Sequence, residues 1–433
     1  MSTSLSNCRI ELSKQLSDYW ASTTTGDGLA GGTTLVDAGL KAKQNAWIGK
    51  DMYDLITEAA HARIDEERQI SSLSNTLGTL TVLAHGGQIL SGIDYEIHRL
   101  FTASEKRIAL IAAARMAWPH IHEKIWDESM VSGNWLKDGS IEIWTSATAL
   151  THWTDDGTVI LAKTSASPYY KHGTYSCGLG TAAGYIHQDI TNWDDLKRLA
   201  GKSVTFTAQG HSNTADSLRL AIYDGTTTTY SDHNDADTAW TTDSEPLSVM
   251  ATIQDNPDAI EFRIYHDVAA AVDYVDDARV IGPYQPRLFI DQLGLSQEKP
   301  IQVEIEPSNY STDEPWTQVF NSRLDTELGY LYLPSSVQRD RRLRIKGIGY
   351  LDFLDSNGVS ATAWDSTINI NSPQTDILIA QAILYLYTQM ALPNFSRSTK
   401  QDFQEMMGFW EDKLRKQIGK HGMEVQSIPV RFR

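Results

Sequence analysis

Cysteine is nearly absent from this chain: two residues, Cys8 and Cys177, in 433. No disulfide framework and no cysteine-based zinc site can be built from one thiol at each of two distant positions. A signal peptide is also missing, since MSTSLSNCRIEL lacks a basic start followed by an apolar run. No apolar stretch approaches the length of a membrane span, so no membrane partner is expected. Synthesis and folding in a cytoplasm follow as the expectation. The familiar catalytic signatures are lacking too. There is no P-loop, no dinucleotide fingerprint, no HExxH and no GxSxG. The nearest glycine-rich run, Gly178–Gly184, has no closing lysine and reads as a turn. His120 and His122 point to different faces of a helix and cannot share a metal from that element. A non-enzymatic protein without a cofactor is expected.

Positive charge is scarce as well. Lys and Arg number 37 against 55 Asp and Glu, a formal net charge of −18. Residues 131–283 carry 21 of the acids and 9 of the bases, a net −12. Such a surface suits sugars, divalent cations or plain solubility and opposes nucleic acid. The end of the chain reverses the sign. Lys413, Arg415, Lys416, Lys420, Arg431 and Arg433 face Glu424 alone. Either a solvated helix end or an arm for an acidic partner accounts for it.

The organisation is clearest in the middle. Residues 130–283 read as strands bounded by Gly, Asn and Asp, and no helix of useful length separates them. In IEFRIYH, Ile260, Phe262 and Ile264 face one way while Glu261, Arg263 and Tyr265 face the other. That period of two gives one buried and one wet face, as in a two-sheet antiparallel sandwich. On each side lie elements of another kind. Residues 1–129 carry a short helix over Arg9–Trp20, a small β module and a helix over Ala103–Ser129 that opens with a Thr102/Glu105 capping box. Residues 284–433 carry short strands, then helices over Pro373–Leu392 and Thr399–Ile418. The expected fold class is α+β and multidomain: a discontinuous scaffold of helical bundle and small β module, with an inserted antiparallel β-sandwich of jelly-roll type.

ILIAQAILYLYTQMAL is apolar nearly all round and must be buried between neighbours. Ile379, Ile383, Leu384, Leu386 and Tyr387 are therefore candidate assembly residues, and Lys416, Lys420, Arg431 and Arg433 candidate docking cations. In the sandwich, Trp153, Tyr169, Tyr170, Tyr175, Tyr185, Trp193 and Trp240 fall in loops or at strand edges. They form either the rims of the core or faces on which sugar rings stack. The candidate glycan ligands are Trp153, Tyr169, Tyr170, Tyr175, Trp193 and Trp240. Adjacent Asp276 and Asp277 are the candidate ligands of a structural calcium, a cation that favours clustered carboxylates.

The segments KHGTYSCGLGTAAGYIHQDI, LAGKSVTFTAQG, SLRLAIYDG and YVDDARVIGP resemble the carbohydrate-binding-module-like jelly rolls of bacteriophage virion proteins. TTLVDAGL and ERQISSLSNTLGTLTVLAHGGQILSGIDYEIHRLF resemble a β module of phage and prophage structural proteins. TAWDSTINI with NSPQTDILIAQAILYLYTQMALPNF is similar to neck, or head–tail connector, proteins of tailed phages. These resemblances imply a virion structural protein at the head–tail junction. They imply a homo-oligomeric ring of about twelve, with portal, tail or neck proteins as partners and packaged DNA at the lumen. The sandwich would project outward and could bind cell-surface glycan. A receptor-binding tail or fibre-associated protein, with the sandwich as its main function, is the rival expectation.

Overall fold

A computed structural model describes residues 2–49, 51–235, 239–269, 271–290, 293–295, 301–307, 315–325, 327–356, 358–391 and 397–423. The chain divides into two compact units, Met1–Glu123 with Tyr350–Glu424, and Lys124–Gly349 with Val425–Arg433. Among the described residues no helix is long and apolar enough to cross a membrane.

The first unit joins helices to a six-stranded antiparallel sheet. The sheet runs Trp20–Thr23, Asp94–His98, Tyr53–Ile56, Glu67–Ser74, Thr79–Val82 and Thr34–Val36. Helix α1 spans Leu5–Gln15, with the Ser4 hydroxyl accepting from the Asn7 amide. It stops earlier than its apolar pattern suggests, and Trp20 joins the sheet opposite Ile97. Helix α2 spans Ala103–Met116 and has the expected capping box at Thr102 and Glu105. The expected continuation to Ser129 is corrected. The helix ends before Pro119, which has no amide to give it, and Glu123–Val131 is a strand.

Helix α4, Gln374–Ala391, packs against α1 and α2, and α5, Arg397–His421, packs against α4. Ile379, Ile383, Leu386 and Tyr387 are buried in this unit's own core, and Leu384 is half-buried. The all-round apolar character of α4 is thus consumed within the chain. Lys416 and Lys420 are exposed on α5, while Arg431 and Arg433 lie outside the described residues. Buried charges here are paired: Lys106 Nζ contacts Asp18 Oδ2 at 2.7 Å, and Arg9 contacts Glu96 at 2.9 Å.

Among the described residues the second unit has one α-helix, of seven residues, and is otherwise built of strands and loops. Its larger part is the expected sandwich. In chain order the strands are β1 Thr154–Asp155, β2 Ile160–Thr164, β3 Ser176–Gly180, β4 Gly184–Ile190, β5 Ser203–Ser212, β6 Leu218–Tyr223, β7 Thr228–Tyr230, β8 Leu247–Thr252, β9 Ile260–His266 and β10 Val272–Ile281. One sheet has the order β1-β4-β9-β6-β7 and the other β2-β3-β10-β5-β8, every pairing antiparallel. The inward residues, among them Ile186, Phe206, Leu220, Phe262, Ile264 and Val280, form one continuous core. Phe206 and Phe262 meet edge-on across it at 5.6 Å. Helix α3, Trp193–Leu199, caps one end with Leu196 and Leu199 inward.

Entry and exit of the sandwich are tied together. The Asn134 side chain donates to Ala278 O and accepts from the amides of Leu136 and Val280. Residues 284–349, assigned by sequence to the scaffold, group in contact with the sandwich. They build a four-stranded sheet of Thr317–Val319, Gln302–Ile305, Arg342–Gly349 and Glu123–Val131 around a separate core. Each unit encloses one free cysteine, Cys8 in the first and Cys177 in the second, both buried.

Candidate functional site

Strand parity builds the most distinctive surface of the sandwich. In β4, GYIHQDI, Ile186 points into the core, so Tyr185, His187 and Asp189 point out. In β9, Ile260, Phe262 and Ile264 are fully buried, so Glu261, Arg263 and Tyr265 point out, as their alternation requires. In β6, Leu218, Leu220 and Ile222 face inward, leaving Arg219 and Tyr223 outside. Register then sets the rows. Tyr185 lies opposite Tyr265, which lies opposite Arg219. His187, Arg263, Ala221 and Tyr230 form the next row, and Asp189, Glu261, Tyr223 and Thr228 the third.

The side chains interlock within and between these rows. Tyr185 and Tyr265 have ring centroids 4.9 Å apart, and Tyr230 lies 5.6 Å from Tyr265. Two arginines are held against these rings. Arg219 lies 4.4 Å from the Tyr230 centroid and Arg263 lies 5.0 Å from that of Tyr185 and 4.7 Å from that of Tyr223. Each has a carboxylate partner, Arg219 with Asp267 at 2.7 Å and Arg263 with Glu261 at 2.6 Å. Arg263 also donates to the Tyr265 hydroxyl at 3.2 Å. Although burial pulls the other way, its bonds to Tyr265 and Glu261 hold the guanidinium pKa above its ordinary value. Burial raises that of the Tyr265 hydroxyl. Tyr230 is 45% exposed, and Tyr185 and Tyr265 are half-buried. The result is a strip of rings with fixed donors and acceptors beside it. Such a strip can take a ligand with an apolar face and a hydroxyl-rich edge.

The same face holds a set of metal-type donors. Among the described residues, His187, Asp189 and Glu261 each offer one ligand atom within 4.8 Å of the other two. His187 Nε2 is 3.2 Å from Asp189 Oδ1.

Of the aromatics singled out by sequence, Tyr185 lies on this face and the six candidate glycan ligands sit elsewhere. Trp153 is corrected to a core residue: it is 4% exposed and its indole N–H donates to Asp138 O. Tyr169 stacks on Tyr274 at 4.5 Å and meets His211 edge-on, and Trp240 meets the same imidazole at 5.7 Å. Trp240 also donates to Pro168 O, and Tyr169 keeps 37% of its surface exposed. Tyr170 is half-buried. Tyr175 packs on the core with the Lys163 ammonium 3.8 Å above its ring. Trp193 is exposed, at the start of α3 beside Lys197. The structure thus brings Tyr169 and Trp240 together and leaves the other four apart. It offers instead Tyr185, Tyr223 and Tyr265, whose signal was alternation along strands, together with Tyr230.

The aspartate pair is not built for calcium. The Asp276 carboxylate accepts from the amides of Lys171, His172 and Asp277. Burial still leaves its pKa well above the ordinary range. Asp277 is gripped by Arg279 through both carboxylate oxygens, at 2.9 and 2.5 Å, with Arg342 at 3.5 Å. Burial alone would raise its pKa, and the Arg279 charge overrides it and holds the carboxyl low. Calcium wants six to eight oxygens, whereas these face N–H donors and guanidinium groups. Nearby, burial pushes Asp138 and Glu142 up to about 7, and drives His172 down to about 4.

No protein-family model and no curated protein matches the chain. Solved structures do match stretches of it. The enzymatically active domain of tailspike protein 4 from bacteriophage CBA120 matches at 10% identity and a TM-score of 0.27, over 35% of this chain and 21% of that one. The chain thus spans about a fifth of that domain's length. TmCBM61, solved in complex with β-1,4-galactotriose, matches at 15% identity and 0.26, over 35% and 99%. The CBM22-1 xylan-binding domain of Paenibacillus barcinonensis Xyn10C matches at 14% identity and 0.25, over 38% and 97%.

Proposed function

We propose that the sandwich binds carbohydrate on the outer face of β4, β9, β6 and β7. One observation carries this reading. Three tyrosine rings, Tyr185, Tyr265 and Tyr230, make a continuous strip on the outer face of β4, β9 and β7, and Arg219 and Arg263 stand between and beside them. A pyranose offers C–H groups on its faces and hydroxyls at its rim. The rings would stack on the faces, while Arg219 and Arg263 would bond the rim. The acidic balance of residues 131–283 argues for a neutral glycan over a polyanion.

Glycan arrays, followed by calorimetry on the best ligand, test this with the full chain. Replacing Tyr185 and Tyr265 together by Ala is expected to weaken binding at least tenfold, about 1.4 kcal/mol. Replacing Tyr169 and Trp240 together is expected to leave it unchanged. The reverse pattern would move the site to the second cluster, and no bound glycan for wild type would remove the reading.

Such a module needs a carrier, and the resemblance of the flanking segments favours a tailed-phage virion. A tail-associated position suits an exposed glycan-binding face better than a neck ring does. The apolar helix that suggested ring assembly is already buried inside its own unit. Light scattering on the purified chain distinguishes the two, since a stable dodecamer would restore the ring.

A further inference from the structure

Asp189 and Glu261 stand directly opposite each other on neighbouring strands. Like charges in that position destabilise a sheet unless a cation lies between them. Arg263 engages Glu261 through Oε2. Asp189 pairs instead with His187, two residues earlier on the same face. The three donors are mixed, one imidazole and two carboxylates, and each offers a ligand atom within 4.8 Å of the others. Ligands on a tetrahedral Zn²⁺, bonded at about 2.0–2.1 Å, stand about 3.4 Å apart. The 3.2 Å between His187 Nε2 and Asp189 Oδ1 is already close to that. Both strands are fixed by seven consecutive residue pairs, and the Asp189 side chain, 47% exposed, is free to turn toward an ion. An imidazole among the donors suits zinc rather than calcium or magnesium, which take oxygen ligands.

We propose that His187, Asp189 and Glu261 form a surface site for Zn²⁺ that clips β4 to β9 and leaves a coordination position open to solvent. This goes beyond carbohydrate binding and does not rest on it, because the stacking tyrosines are not among the ligands.

The test uses the full chain after chelation, with Zn²⁺ as titrant in calorimetry and Co²⁺ as a spectroscopic substitute. Wild type is expected to take up one equivalent, to melt higher with Zn²⁺, and to lose that gain on adding chelator. Co²⁺ is expected to give visible d–d bands showing imidazole and carboxylate ligation. His187→Ala and Asp189→Asn should each weaken Zn²⁺ binding at least tenfold while melting like wild type without metal. Should His187→Ala fail to fold, the exposed Asp189→Asn decides alone. No uptake by wild type overturns the site. So does equal uptake by the variants, which would assign the ion to others of the 12 histidines.

Discussion

Two groups of charges on one sandwich are handled in opposite ways. Around Asp276 and Asp277, carboxylates are buried and every contact is used inward: amides of the 171–172 loop for one, Arg279 and Arg342 for the other. On the outer face of β9 and its neighbours, Arg219 and Arg263 also have acidic partners, yet they stay near water and lie against tyrosine rings. The first arrangement spends its polarity on holding loops and strands. The second pairs its arginines as well, yet leaves the Tyr230 ring 45% and the Asp189 side chain 47% exposed. Charge alone does not separate a structural cluster from a binding surface; what separates them is whether the polar valences are consumed.

The largest effect expected from that contrast is at Arg279. Arg279→Ala leaves Asp277, 4% exposed, without its main partner. It should cost about 3–5 kcal/mol in urea denaturation. A loss below about 1 kcal/mol would show that Arg342 and His172 hold Asp277 unaided, and would blur the contrast.

Glu142 gives the next effect. It accepts from the amides of Thr174 and Tyr175, and burial nevertheless raises its folded-state pKa to about 7. A carboxyl with a raised folded pKa adds stability that is fully present below its unfolded value, near 4.5, and lost as pH rises through 7. Glu142→Gln should flatten this fall by about 2 kcal/mol, read as the melting temperature between pH 4.5 and 7.5. An unchanged profile would mean the group ionises freely in the fold.

On the outer face the effects on stability should be small and those on binding large. Arg219→Ala removes a pair whose side chains are about one quarter exposed. Stability should fall by less than about 1 kcal/mol, while affinity for the glycan drops. A large loss of stability would class this arginine with Arg279. The smallest change is expected at Trp193→Ala, within about 0.5 kcal/mol and without effect on glycan affinity, because this exposed ring stands apart from the tyrosine strip.

Much of this was legible in the residues. IEFRIYH alternates cleanly, and its outward set, Glu261, Arg263 and Tyr265, became the centre of the candidate site. The same parity in GYIHQDI and LRLAIY marks Tyr185, His187 and Tyr223. Loop position was a poorer guide than parity. Trp153 lies between short strands yet is buried, because its ring fills core volume and its N–H finds a carbonyl. Pairing across strands was not legible: no local pattern sets Asp189 against Glu261, or Tyr230 beside Tyr265. Nor could sequence show that EKIWDESMV leaves the helix before it and joins a sheet made with residues more than 170 positions away.

The two buried thiols give this molecule a pair of internal clocks. Only a thiolate attacks an alkylating reagent. Burial pushes Cys8 up to about 12 and Cys177 higher still, so both are inert while their surroundings stay closed. Reaction at either one dates an opening of its own unit and leaves the other unmarked. A single timed pulse of iodoacetamide, read on two peptides by mass spectrometry, therefore times the breathing of each unit separately in the unaltered chain.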